Sequence, residues 1–387
     1  MKVKFLAFTY TQPYSFNPIY YWLKSFYQKN GKHYYSYEWL PTEYFFTDDI
    51  VDRIIDEGTD LLCLSVYLWN FDSMMKVAEE VKQRAPQIQI IVGGPNVHAN
   101  TEADWFDKYP WVEFAIYGDG ENAFRKLLDW YIEPTDKADI PNIVQKDHKT
   151  KHEIFKFNQY EEYSPYLDLK DEFLFEYNSF KDKVDGAFVY LPYERSRGCM
   201  YSCAFCDWQS GLHYKVNSRI NPYQPEIEFF AENNIKGMQT DANVGMLKED
   251  IPLYEFVYDT MKKYNTTYVP VEPRNMAKLH KEKVSKIYDI LCQATPNYNV
   301  KVSLQSIYTD VLQKSPAYNP EYRKKHGLIA TKTYYPAIFT GTDIAVIKTD
   351  EFNKNPQTSI DKSQAYFIDM VFDEHLGIQG VIYNKIL

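Results

Sequence analysis

Cys199, Cys203 and Cys206 are the residues of this chain whose types and spacing carry the most specific chemistry. Spaced by three and then two residues, three thiolates can wrap one face of a cluster, and thiolates are the ligands that iron–sulfur clusters take. Three ligands on a four-iron cluster leave the fourth iron open to a small molecule that chelates through an amine and a carboxylate. A zinc site prefers four Cys or His ligands. The nearest histidine, His213, lies seven residues past Cys206, and no second cysteine pair completes a zinc ribbon. A redox pair made by Cys203 and Cys206 would belong at a helix start in a thioredoxin-like domain, which the flanking residues do not suggest. Cys63 and Cys292 sit in apolar runs and read as core.

The bulk composition frames that site. A chain of 387 residues is long enough for two domains with cores of their own. Its 45% hydrophobic and 25% charged residues are ordinary for a globular protein. Five cysteines do not form a disulfide framework and fit a reducing cytoplasm. The net charge of −10 argues against nucleic acid, because phosphate binding needs a basic surface. No run of about 18 apolar residues marks a membrane span, and the start of the chain has no cleavage site of a secretory signal. The 35 tyrosines read as compositional bias rather than as an aromatic-lined cavity.

Residues 1–131 alternate apolar runs with amphipathic stretches. Val3 to Phe8, Leu61 to Val66, Gln89 to Val92 and Val112 to Ile116 read as buried strands. From Phe71 to Ala85, apolar residues recur at helical spacing, with Asp72 or Ser73 as the expected cap. Strand, helix, strand implies an α/β fold with a doubly wound, Rossmann-like parallel sheet. Two loops follow its strands where such folds bind ligands: Gly93-Gly94-Pro95-Asn96 and Gly118-Asp119-Gly120-Glu121. Gly93, Gly94, Gly118, Gly120 and Glu121 are therefore candidate ligand-loop residues, with tight-turn chemistry as the alternative. Neither loop is GxGxxG, so a nicotinamide site is not supported.

Residues 132–185 read as a connector, in which Ile140 to Val144 and Glu153 to Phe157 are expected to pair as a hairpin. Residues 186–387 form the second domain, legible to about residue 310 and divergent over 311–387. It opens with a strand at Ala187 to Leu191 that leads into Arg197-Gly198 and the cysteines.

With Arg197-Gly198 before it and Phe205, Asp207 and Trp208 around its end, the CxxxCxxC run resembles the cluster loop of radical S-adenosylmethionine enzymes. More closely, it resembles the branch with an amino-terminal cobalamin-binding-type domain. Gly93-Gly94-Pro95, Gly118-Asp119-Gly120-Glu121, Ile140-Pro141-Asn142-Ile143 and Ser164-Pro165-Tyr166 fall in that branch's order and spacing, so the resemblance covers residues 1 to about 310. It implies an α/β barrel of the TIM type, partial or divergent at its end, after the first domain.

The resemblance further implies that Cys199, Cys203 and Cys206 bind a 4Fe-4S cluster whose fourth iron holds S-adenosylmethionine, with Phe205 near the adenine. Gly237 to Asn243 is similar to the second barrel strand, making Asp241 and Asn243 candidates for cofactor contact. Val302 to Ser306 is similar to the fourth, making Ser303 and Gln305 candidates, and Val269 to Arg274 to the third, with Glu272 and Arg274 facing substrate or cofactor. The implied reaction is cleavage to a 5′-deoxyadenosyl radical, with an external flavodoxin- or ferredoxin-like electron donor and a small-molecule substrate. With cobalamin bound, methylation of an unactivated centre is the implied chemistry. Ring closure or rearrangement is the alternative within the class, and a non-catalytic iron–sulfur protein or a zinc-stabilised module outside it. The cobalt-ligating Asp-x-His-x-x-Gly motif of many cobalamin domains is absent.

Overall fold

The computed structural model describes residues 1–9, 14–67, 69–97, 103–184, 189–199, 216–219, 223–274, 281–295, 300–302, 337–340, 343–346, 366–373 and 377–385. The chain divides into two units. The first comprises Met1–Pro192 with Arg219–Asn221, and the second Tyr193–Ser218 with Pro222–Leu387.

The elements of the first unit are β1 (Lys2–Leu6), β2 (Tyr14–Ser15), α1 (Ile19–Asn30), β3 (Glu38–Trp39), α2 (Ile50–Asp56), β4 (Leu61–Ser65), α3 (Phe71–Arg84) and β5 (Gln89–Gly93). They continue with α4 (Ala103–Lys108), β6 (Phe114–Ile116), α5 (Glu121–Ile132), β7 (Ile143–Gln145), β8 (His148–Lys149), α6 (Lys170–Lys183) and the strand β9 (Val189–Tyr193), whose last residue opens the second unit. The main sheet runs β3-β1-β4-β5-β6-β7-β8, and its first five strands are parallel. Parallel strands are covered on both faces, so they are short apolar runs; β4 buries all five of its residues. Helix α5 places Ala123, Phe124, Leu127 and Leu128 in the core at helical spacing.

Three details differ from the sequence reading. Helix α3 starts behind Asn70 rather than Asp72 or Ser73. The hairpin forms between β7 and β8, with Gln145 opposite His148 around a turn at Lys146-Asp147, and Glu153 to Phe157 is not its second strand. A two-residue turn closes the hairpin earlier than the spacing of apolar residues suggested. Because β7 also pairs with β6, this part of the connector extends the main sheet.

Among the described residues, many tyrosines lie in the core. Tyr20, Tyr21, Tyr27, Tyr166 and Tyr177 are fully buried, and three of their hydroxyls are tied off: Tyr20 to Glu172, Tyr27 to Asp129, Tyr166 to the Pro192 carbonyl. A buried tyrosine contributes its ring's apolar area, and a partner for the hydroxyl spares the cost of an unpaired polar group.

In the second unit, β10 (Ser196–Arg197) pairs antiparallel with β11 (Asn217–Ser218). After α7 (Gln224–Glu232), β12 (Gly237–Gln239), α8 (Asp250–Tyr264) and β13 (Val271–Pro273), the strands β12 and β13 pair in parallel across the intervening helix. Gly237 has a reason: a Cβ there would stand 2.8 Å from the Pro270 carbonyl. Helix α9 (Lys281–Ala294) packs on α8 and precedes β14 (Val300–Val302). The remaining strands, β15 (Ala337–Thr340), β16 (Asp343–Val346), β17 (Tyr366–Asp373) and β18 (Gly377–Lys385), were not assigned from sequence. They form antiparallel pairs β15–β16 and β17–β18, and β14 joins the edge of β18.

Candidate functional sites in the two units

In the first unit, strand order reverses between β1 and β4, the topological switch point at which open α/β sheets bind ligands outside their carboxyl ends. Asn70 fixes that edge. Its Nδ2 donates to the carbonyls of Phe8 and Ser65, each at 3.1 Å, and its Oδ1 accepts the Tyr67 amide at 2.7 Å. The loops following β1 and β4 are thus stapled by one side chain. Beside them Trp69, 53% exposed, stacks on Tyr67 with ring centroids 4.5 Å apart.

Of the predicted loop residues here, Gly94 is the most constrained. Its φ is +112°, and a Cβ would meet the Val66 carbonyl oxygen at 2.7 Å. Gly118 also has a positive φ of +68°. Gly93 and Gly120 have room for a Cβ. Glu121 is buried and accepts the Tyr163 hydroxyl at 3.3 Å. The neighbouring Asp119 accepts the Phe155 amide at 3.1 Å. Asn142, of the Ile140-Pro141-Asn142-Ile143 run, donates its amide to the carbonyls of Asp119 and Glu153. That run therefore clamps the Gly118-Asp119-Gly120-Glu121 loop through Asn142.

In the second unit, Cys199 follows β10 and Gly198, whose φ of +96° turns the chain after the strand. The five-residue stem Arg195–Cys199 is held from β12. Asp241, 3% exposed, accepts the Arg195 amide at 2.7 Å, the Ser196 hydroxyl at 2.8 Å and Gln239 Nε2 at 3.0 Å. The Tyr254 hydroxyl of α8 donates to Gln239 Oε1 at 2.6 Å. Gln239 and Tyr254 are fully buried. Burial pushes the Asp241 carboxyl above its ordinary range, and the donors from Arg195, Gln239 and Ser196 pull it back. Two residues on, Asn243 Nδ2 lies 3.1 Å from Cys199 Sγ. Within the stem, Arg197 pairs with the preceding Glu194 at 2.8 Å.

Glu272 lies in β13 opposite Met238, half-buried, and Arg274 directly follows that strand. Cys203, Phe205, Cys206, Ser303 and Gln305 lie outside the described residues. Cys63 is buried in β4, where burial pushes its thiol up, and Cys292 is half-buried on α9. Sequence reading missed Arg195, Ser196, Gln239, Tyr254 and Asn70. The one available signal was Gln239, a polar residue ending a three-residue buried strand.

Residues 33–128 match the family model of the B12 binding domain. The 2-(S-pantetheinyl)-carbapenam-3-carboxylate methyltransferase of Streptantibioticus cattleyicolor is 32% identical over 295 residues, which are 71% of this chain and 41% of that protein. The cobalamin-dependent radical SAM methyltransferase TokK of Streptomyces tokunonensis is 29% identical over 277 residues, 68% of this chain and 39% of its own. The chain is similar to cobalamin-dependent radical S-adenosylmethionine methyltransferases over about 70% of its length. It spans about two fifths of the length of these curated relatives.

Two solved structures share this fold. One is OxsB with aqua-cobalamin and S-adenosylmethionine bound, with a TM-score of 0.55, 16% identity, and coverage of 76% of this chain and 42% of that one. The other is TsrM from Kitasatospora setae with cobalamin and a [4Fe-4S] cluster bound, with a TM-score of 0.52, 14% identity, and coverage of 76% and 59%. The switch-point edge of the first unit fits a large flat cofactor: its loops are stapled, present bare backbone at Gly94, and carry an accessible indole at Trp69. The stem fits a cluster ligand, because Cys199 is partly exposed and its sulfur already faces an amide donor. Among the described residues no helix is long and apolar enough to cross a membrane.

Proposed function

We propose that the chain reductively cleaves S-adenosylmethionine at a 4Fe-4S cluster held by Cys199, Cys203 and Cys206, and methylates an unactivated centre of a small molecule. The observation that carries this reading is the placement of Cys199 at the head of the CxxxCxxC run, on a stem fixed by Asp241, with Asn243 against its sulfur. Likeness to two methyltransferases over about 70% of the chain supports the reaction type. When bound, the cluster supplies the electron for S-adenosylmethionine cleavage and cobalamin supplies the methyl carrier.

The residues divide the remaining work. The loops at Val66–Asn70 and Gly93–Val97 would hold cobalamin at the carboxyl edge of the first unit's sheet. Asp241 and Asn243 orient the stem and Cys199, while Glu272 and Arg274 offer a carboxylate and a guanidinium at the end of β13 for cofactor or substrate. A flavodoxin- or ferredoxin-like protein of the cytoplasm is the fitting electron donor.

The test is anaerobic reconstitution with iron, sulfide and hydroxocobalamin, followed by S-adenosylmethionine and dithionite. Formation of 5′-deoxyadenosine together with S-adenosylhomocysteine is the expected result. The first product without the second overturns methyl transfer, and neither product overturns the enzyme reading.

A further inference from the structure

The end of β12 reaches the cysteine stem at both of its ends. Asp241 takes the backbone amide of Arg195 and the hydroxyl of Ser196 at the start of the stem, and Asn243 meets the sulfur of Cys199 at its finish. A carboxylate buried to 3% exposure is held by donors alone in these contacts, so it cannot leave the stem without stranding a buried charge. Its orientation is fixed in turn by Gln239, whose amide is oriented by Tyr254: the hydroxyl donates to Oε1, leaving Nε2 for Asp241. The direction of every hydrogen bond in this chain follows from the donor inventory, since Tyr254 has one proton to give and Gln239 has an acceptor and a donor end.

We infer that Asp241 and Asn243 are positioning residues for the first cluster thiolate: Asp241 sets the stem, and the Asn243 amide donates to Cys199 Sγ and tunes the cluster's reduction potential. This rests on the reading of Cys199 as a cluster ligand. An amide donor on a ligating sulfur stabilises negative charge, and the reduced cluster carries more of it, so the hydrogen bond raises the potential. Replacing Asn243 by alanine removes the donor, aspartate adds a like charge, and glutamine keeps an amide on a longer arm. Asp241 acts one step back, through the stem, by holding the Arg195 amide and the Ser196 hydroxyl.

The experiment uses the full chain reconstituted anaerobically with iron and sulfide, with iron per chain and the midpoint potential by electron paramagnetic resonance as readouts. Asn243→Ala is expected to keep its cluster and shift the one-electron reduction equilibrium at least tenfold toward the oxidised form, about 60 mV more negative. Asn243→Asp shifts it further, and Asn243→Gln recovers part of the loss. Asp241→Asn and Ser196→Ala are expected to lower iron incorporation by at least half, with Ser196→Ala serving where Asp241→Asn does not fold. Variants at Asn243 with the wild-type potential, or folded stem variants with wild-type iron, overturn the inference while leaving the functional reading in place. A wild-type chain that takes up no cluster overturns that reading and the inference with it.

Discussion

Asp241 Oδ1 accepts the backbone amide of Arg195 at 2.7 Å, which joins the end of β12 to the stem of the cysteine loop through a carboxylate with 3% exposure. The contact closes a buried chain that begins at Tyr254 on α8. Asp241→Ala leaves the Arg195 amide, the Ser196 hydroxyl and the Gln239 amide without this acceptor. The expected cost is about 3 kcal/mol of the second unit's stability, and Asp241→Asn costs less because it keeps an acceptor. Denaturant unfolding of the two variants measures the difference; equal and negligible losses would show the network to be dispensable.

Gly94 makes a second prediction. At φ +112° and with the Val66 carbonyl 2.7 Å from the place of a Cβ, alanine is both strained and obstructed. Gly94→Ala is expected to cost on the order of 3 kcal/mol and to weaken cobalamin binding, whereas Gly120→Ala, with its nearest neighbours 3.9 and 4.0 Å away, is tolerated. Equilibrium dialysis with hydroxocobalamin alongside thermal unfolding separates the two effects.

Lys4 lies within β1, between β3 and β4, with its side chain 1% exposed, 3.1 Å from Glu43 and 2.8 Å from Glu57. Removing one member of a buried pair leaves an uncompensated charge, so Lys4→Met should cost roughly 3 kcal/mol at neutral pH. Arg53 also contacts Glu43 at 3.0 Å and limits the loss. In a double-mutant cycle Glu43→Gln should recover part of it. Strict additivity of the two substitutions would contradict a coupled pair.

Burial pushes the Asp250 carboxyl up to about 6, against the amides of Gly245 and Leu247, which both donate to it at 2.8 Å. A raised folded value means that the folded chain binds the proton more tightly than the unfolded one. The contribution to stability is therefore greatest at low pH and falls as pH rises from about 4 to about 6, by on the order of 3 kcal/mol. Asp250→Asn does not titrate. The stability of wild type relative to this variant should decline across that window, and a flat difference would place the Asp250 value in its ordinary range.

The parallel strands were legible because two-sided burial writes them as apolar runs; β4 and β5 lie within one residue of the ranges read from sequence. Strands β2 and β3, two residues each, carry no such pattern. Helix α6 was hidden in the connector: it buries Phe173, Tyr177 and Phe180 among charged residues, and the exposed Phe175 blurs the period. At the site, cysteine spacing pointed to Cys199, and the family resemblance to Asp241 and Asn243 as candidates for cofactor contact. Nothing in residue order tells that Asp241 turns inward to hold backbone rather than outward, because that depends on the burial of its partners on β10 and β12 and on α8. Gly94 was legible as a loop glycine, but its necessity comes from Val66, a neighbour 28 positions away in sequence.

The central claim is a cluster and a cobalamin on one chain, and the most direct measurement is the iron, sulfide and cobalt content of protein produced with hydroxocobalamin and purified without oxygen. The account predicts about four irons and four sulfides per chain with about one cobalt. It also predicts loss of the iron in Cys199→Ala with the cobalt retained. Protein that is colourless, iron-free and zinc-loaded under those conditions would contradict it.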